Sequence, residues 1–194
     1  MKIPVVMMIA VTALAACKRA PQEAADLAPV KEVVAGTPMI DFKSTEAHFS
    51  CRAPRDWGLR EKHIDSSKGA VFVGPAGPAG LGLSYISILK YPESEPQYTD
   101  ARKYAETFWE IDPRNKQPDI TRQDIGGKSV LRFHQERPFY KPHSRKLEYV
   151  IRYDYALIPV QNGFYSIEHR APVADHAATL PVFEAVVASF QPGS

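Results

Sequence analysis

Residues 147–158 (LEYVIRYDYALI) read as the longest β-strand of the chain, and a strand of that length needs partners on both sides to be stable. Its odd positions, Leu147, Tyr149, Ile151, Tyr153, Tyr155 and Leu157, are expected to face inward, and Glu148, Arg152 and Asp154 outward. Just beyond it, Asn162-Gly163 is the strongest hairpin signal in the sequence and returns the chain into a strand over 164–171. Whatever this chain folds into is therefore built on an antiparallel sheet.

Other segments fit that sheet. Residues 48–53, 59–63 and 70–73 read as strands, with a turn at Pro54-Arg55-Asp56-Trp57-Gly58 whose Trp57 is expected to cap the core. Residues 65–69 read as a turn, and 74–80, with two Gly-Pro-Ala triplets, as a loop. Residues 83–91 (LSYISILKY) are apolar on both faces, as in a central strand covered above and below. Gly126-Gly127 is a two-residue turn between strands over 119–125 and 128–136.

Two helices complete the set. One is expected over 99–111, with Ala101, Tyr104, Ala105, Phe108 and Ile111 as its buried stripe and Asp112-Pro113 as its end. The other is expected to begin near Thr179 with Pro181 in its first turn, burying Phe183, Val186, Val187 and Phe190. The expected fold is α+β: a single antiparallel β-sheet flanked by helices.

The first 38 residues contribute nothing to that core. Lys2 is followed by an apolar run from Ile3, which closes on Leu14-Ala15-Ala16-Cys17. The run is shorter than the ~18 residues that cross a bilayer, and its layout is that of a secretory signal. Residues 18–38 hold three prolines, no aromatics and mixed charge, so they form a linker. As flexible coil, such a linker reaches about 25 Å. The domains expected are a signal peptide over 1–16, an N-terminus and tether over 17–38, and a globular domain over 39–194.

Leu14-Ala15-Ala16-Cys17 resembles a bacterial lipobox. The resemblance implies cleavage before Cys17 and a diacylglyceryl group on its sulfur. Two or three acyl chains, at ~0.8 kcal/mol per buried CH₂, anchor a protein in effect permanently. Lys18, rather than an acidic residue, follows the cysteine, and by resemblance to enterobacterial sorting this favours the periplasmic side of the outer membrane. Lipidation would leave Cys51 unpaired; alternation places it with Phe49 and Ala53 on one strand face, as a core thiol.

The globular part resembles PsbP-like domains. The resemblance rests on Phe49-Ser50-Cys51-Arg52-Ala53-Pro54 with Trp57, on Tyr85-Ile86-Ser87-Ile88, on Gly126-Gly127-Lys128, and on Gly163-Phe164-Tyr165-Ser166-Ile167 followed by Phe183, Val186, Val187, Ser189 and Phe190. It implies an α/β/α sandwich around an antiparallel sheet. Members of the family include an extrinsic photosystem II protein, a Ran-binding nuclear import factor and DcrB-like bacterial lipoproteins, mostly binding or assembly factors. The lipobox points to the lipoprotein branch.

No catalytic constellation emerges from the residue pattern, and no cofactor is expected. Gly126-Gly127-Lys128-Ser129 ends like a phosphate-binding loop but has Arg122 where that motif needs glycine, and it lies in a hairpin. Ser84 sits in a strand without the glycines of a nucleophile elbow. His48, His63, His134, His143, His169 and His176 show no spacing suited to zinc, and His169, sharing a face with Tyr165 and Ile167, is expected to be a hydrogen-bonded core residue. A net charge of +2 gives no reason to expect nucleic acid.

One surface has character. Residues 137–146 (RPFYKPHSRK) are expected to be a loop between two strands. Arg137, Phe139, Tyr140, Lys141, Arg145 and Lys146 form its candidate partner-binding set, because Arg and Tyr are enriched at binding hot spots and prolines lower the entropy lost on docking. The expectation is a lipid-anchored, extracytoplasmic, non-enzymatic factor that binds an envelope protein or anionic lipid. The alternatives are a module for a small hydrophobic or anionic ligand, and an enzyme of unrecognised class.

Overall fold

The computed structural model describes residues 36–64, 67–77, 83–94, 100–110, 119–141 and 146–193. Leu14, Ala15, Ala16 and Cys17, most of the tether, Arg145, and the residues 111–113 expected to close the first helix lie outside them.

Among the described residues, ten strands and two helices follow one another as β1 (Met39–Ser44), β2 (Phe49–Pro54), β3 (Gly58–Ile64), β4 (Ser67–Ala76), β5 (Leu83–Pro92), α1 (Ala101–Glu110), β6 (Thr121–Ile125), β7 (Lys128–Tyr140), β8 (Leu147–Val160), β9 (Gly163–Pro172), α2 (Val173–Ser189) and β10 (Gln191–Pro192). They form two antiparallel sheets, a three-stranded one in the order β1-β2-β10 and a seven-stranded one in the order β3-β4-β5-β9-β8-β7-β6. The expected single sheet flanked by helices is thus replaced by a predominantly β sandwich. Two short strands that the residue pattern did not mark cause the change. β1 and β10 pair with opposite edges of β2, which leaves β2 no free edge for the larger sheet.

The small sheet and α2 cover one face of the large sheet. Phe42 meets Phe72 at 5.2 Å, Phe49 meets Tyr165 at 6.0 Å, and Phe183, Val186, Val187 and Phe190 of α2 are fully buried in the same cluster. Trp57 and Cys51 lie in this core as expected. The Tyr165 hydroxyl, from the middle of the large sheet, reaches the carbonyls of Ala47 (2.8 Å) and His48 (2.7 Å) in the β1–β2 turn. The opposite face carries a second cluster, in which Ala101, Tyr104 and Ala105 of α1 pack with Leu89, Tyr91, Leu131, Tyr155, Leu157 and Phe164. β5 is accordingly buried on both sides, with Ile86 and Ile88 in one cluster and Leu89 and Tyr91 in the other.

Several boundaries move. α2 begins at Val173, not near Thr179, and carries Pro181 in its interior, where proline deprives the helix of one hydrogen bond. Burial of Asp175, His176 and Thr179 holds the added first turns against the sheet. β4 continues through Gly74, Pro75 and Ala76, which were expected to be loop, with irregular pairing between Val73 and Ala76. β7 extends to Tyr140, so Arg137, Pro138, Phe139 and Tyr140 are strand and not loop. Among the described residues β6 pairs only with positions 128–132, so β7 is an edge strand beyond them, where Pro138 is tolerated.

The Gly126-Gly127 turn is as the sequence implied, whereas the second hairpin turns one residue earlier than Asn162-Gly163, at Gln161-Asn162. Gly126 and Gly127 have φ of 60° and 76°, and Gly163, at φ 124°, pairs with Val160 to close a two-residue hairpin.

Candidate functional site

β7 and β8 pair along most of their length and carry a row of aromatic rings on the face that α1 partly covers. Phe133 stacks on Tyr155 at 4.5 Å, Tyr155 lies parallel to Tyr153 at 6.4 Å, and Phe139 stacks on Tyr149 at 4.8 Å. The row starts in the core, where Tyr155 is 2% exposed, and ends in solvent, where Phe139 is 38%, Tyr140 51% and Leu147 56% exposed. Leu147, expected to face inward, thus stands out from the hairpin end: the pairing outlasts the packed layers, and beyond them alternation no longer selects a buried face. Lys141 and Lys146 close the described part of the hairpin, with the Lys141 amide donating to the Lys146 carbonyl at 2.9 Å.

Arg137 points away from the hairpin end, back along the aromatic row. Its guanidinium lies 5.5 Å from the centre of the Tyr153 ring and donates to Gln135 Oε1 at 3.2 Å. Arg170 approaches the same tyrosine at 5.6 Å and Tyr85 at an equal distance. Between them, burial raises Glu168 above the usual carboxylate range, against the pull of Lys62, Arg170 and Arg137. The structure therefore keeps Phe139, Tyr140, Lys141 and Lys146 together at the hairpin end and turns Arg137 back onto the sheet.

The second cluster lies on the opposite face, beneath α2, and no sequence pattern announced it. Asp154 of β8 is directly opposite His169 of β9, and His176 projects from the first turns of α2, which follows β9 without a loop. Asp154 Oδ2 is 2.5 Å from His176 Nε2 and 3.5 Å from His169 Nδ1. Arg152 donates from Nε to the other carboxylate oxygen at 3.3 Å. Asp154 was expected to face solvent, but its side chain is only 13% exposed, because α2 covers that end of the sheet.

His169 is fully buried, and its Nε2 lies 2.9 Å from Thr179 Oγ1. Burial holds its pKa below the usual histidine range despite the pull of Asp154, so the ring is neutral. Burial alone would raise Asp154, but its imidazole partners and Arg152 outweigh that and hold it well below the ordinary carboxylate range. At 3.5 Å the His169 contact is too long for a good hydrogen bond, so His176 and Arg152 carry most of this lowering.

Asp154 also lines a groove of about 240 Å³ with Asp119, Thr121, Gln123, Arg132 and His134. Arg132 forms its far wall, paired with Glu184 of α2 and lying 5.0 Å from the centre of the Phe183 ring. Ser84, examined as a nucleophile in the sequence, is fully buried in β5. Among the described residues, no helix is long and apolar enough to cross a membrane.

No protein-family model matches the chain, and no curated protein does either. Solved structures do share its fold. The Saccharomyces cerevisiae Ran-binding protein Mog1p aligns at 13% identity over 81% of this chain and 96% of its own, with a TM-score of 0.50. Cyanobacterial PsbP from Synechocystis aligns at 13% identity over 82% of this chain and 95% of its own, with a TM-score of 0.47. A Bacteroides thetaiotaomicron protein aligns at 16% identity over 79% of this chain, with a TM-score of 0.49; the chain spans about half (48%) of that protein's length. At such identities the likeness is one of fold alone. Of these three, Mog1p reaches a TM-score of 0.50 and carries the likeness, and in this chain the fold is two packed sheets, not one sheet between helices.

Proposed function

We propose that this protein is a lipid-anchored extracytoplasmic factor that binds a partner without catalysing a reaction, and that the end of the β7–β8 hairpin is its docking surface. The observation that carries this reading is the aromatic row that leaves the core and ends in solvent beside two lysines. Of the seven large hydrophobic side chains exposed among the described residues, Phe139, Tyr140 and Leu147 cluster there. Exposed apolar groups grouped with cations suit an anionic amphiphilic surface: the rings enter the headgroup boundary while the lysines meet its charge. Lipidated Cys17 would keep the domain within a tether's length of such a surface. The fold supports the same reading, since Mog1p, which shares it, is named for binding Ran.

The anchor is tested by feeding cells a clickable fatty acid. Wild-type chain should be labelled and shortened, and Cys17→Ser should stay unlabelled and uncleaved; equal labelling of both would remove the anchor from the account. Docking is tested with a photo-crosslinking residue in intact cells, placed at Tyr140 or at the exposed Ile64 of β3. Lipid adducts should form at the hairpin position alone, and equal adducts at both would show that the hairpin has no special role.

A further inference from the structure

We infer that Asp154, His169 and His176 form a binding site for a zinc-class divalent cation. The three donor atoms, a carboxylate oxygen and two imidazole nitrogens, lie within 4.8 Å of one another. An ion ~2.0–2.2 Å from each ligand holds its donors at most ~4.4 Å apart, so these three reach one ion by small side-chain shifts.

The contacts around His169 allow Nδ1 to be its free nitrogen. Thr179 Oγ1 lies 2.9 Å from His169 Nε2 and 3.4 Å from the His176 carbonyl. With the Thr179 hydroxyl donating to that carbonyl, its oxygen accepts from Nε2–H, and this is the tautomer that the site requires. In that tautomer Nδ1 carries a lone pair. It is completely buried, makes no hydrogen bond, and faces the Asp154 carboxylate, another acceptor. Two electron-rich atoms held together away from water need a positive centre between them. A proton between His176 Nε2 and Oδ2, 2.5 Å apart, serves that pair alone. A metal ion in place of the His176 proton serves all three.

The surroundings suit that role. Ligand histidines generally give their second nitrogen to a fixed partner, as His169 does to Thr179, and ligand carboxylates are themselves hydrogen-bonded, as Asp154 is by Arg152 on Oδ1. The 3.5 Å between His169 Nδ1 and Asp154 Oδ2 is close to the ~3.3 Å edge of a tetrahedral site. His176, with 11% of its side chain exposed, has to move by about 1 Å to reach the same spacing. Asp154 itself borders a groove of about 240 Å³. Two imidazoles with one carboxylate suit zinc; calcium and magnesium select sites made mostly of oxygen.

The test uses the full chain, stripped with a chelator and titrated calorimetrically with zinc chloride, then with cobalt(II) followed by visible absorption. One equivalent should bind, cobalt should give the strong bands of a low-coordinate nitrogen–oxygen site, and the His169 and His176 imidazole resonances should shift together. His176→Asn should weaken zinc binding at least about tenfold, and Thr179→Val, which frees the tautomer, by about ten- to a hundredfold. Absence of binding, or binding that survives in His176→Asn and is lost in His63→Asn or His134→Asn, would overturn the assignment. If His176→Asn does not fold, the imidazole resonances of wild type decide: shifts at any other histidine contradict the site.

Discussion

Asp154 and His169 stand opposite each other in the β8–β9 ladder, with Oδ2 3.5 Å from Nδ1, and the first turns of α2 close over the pair. The carboxylate also lies 2.5 Å from His176 Nε2 and accepts from Arg152 Nε at 3.3 Å. Asp154→Ala removes a common acceptor and leaves buried polar groups unmatched. Urea unfolding of the metal-free protein should show a loss of about 1–3 kcal/mol. A change within a few tenths would mean that the cluster plays no part in seating α2.

Tyr165 ties the two sheets together through its hydroxyl. Tyr165→Phe keeps the ring, and with it the packing against Phe49 and Phe190 at 6.0 and 5.0 Å, but strips a donor from the Ala47 and His48 carbonyls. We expect a cost of about 1–3 kcal/mol. Hydrogen exchange should locate the weakening in β1, β2 and β10, while the centre of the large sheet keeps its relative protection.

Burial pushes the Cys51 thiol from its ordinary 9.0 up to about 12. The native protein should therefore resist a thiol reagent at pH 8 and react at once when denatured. The linkage has a definite sign. The folded state disfavours the thiolate, so this contribution to stability is whole below pH 9.0 and is lost as pH rises toward about 12. Cys51→Ala should flatten the alkaline fall of stability; an unchanged slope would show that the fall has other sources.

Gly163 closes the β8–β9 hairpin at φ 124°, and a Cβ there would stand 2.0 Å from the Tyr91 carbonyl. Gly163→Ala must therefore push β5 and β9 apart at their joined ends. Its thermal midpoint should fall by several degrees, whereas Gly127→Ala, with open space around the added carbon, carries only the backbone penalty of its positive φ.

What the sequence made legible follows from the range of each signal. Alternation and turn chemistry act between near neighbours, so Asn162-Gly163, Gly126-Gly127 and the buried stripe Phe183, Val186, Val187, Phe190 could all be read from the chain. β1 and β10 could not. Met39–Ser44 has a half-exposed pattern without a clear period, and Gln191–Pro192 is strand only because β2 lies beside it. The same limit hid the Asp154 cluster, whose members come from three elements and meet through strand register and the placement of α2. A histidine opening a helix directly after a strand that already holds one inward histidine was the nearest available sign. At the hairpin, composition singled out Phe139, Tyr140, Lys141 and Lys146, which the structure groups at one end. It could not show that Arg137 turns back to Tyr153, because that depends on where the strand ends.

The most direct measurement of the docking claim uses the unlipidated chain from Lys18 onward, so that no acyl chain contributes. It is sedimented with vesicles of neutral lipid or of neutral lipid mixed with phosphatidylglycerol, beside the variant Tyr140→Ser, Lys141→Ser, Lys146→Ser, Leu147→Ser. The account predicts that wild type is captured by the anionic vesicles, that added salt weakens capture, and that the variant stays in solution with its fold intact. Equal capture of wild type and variant, or no capture of either, would contradict it.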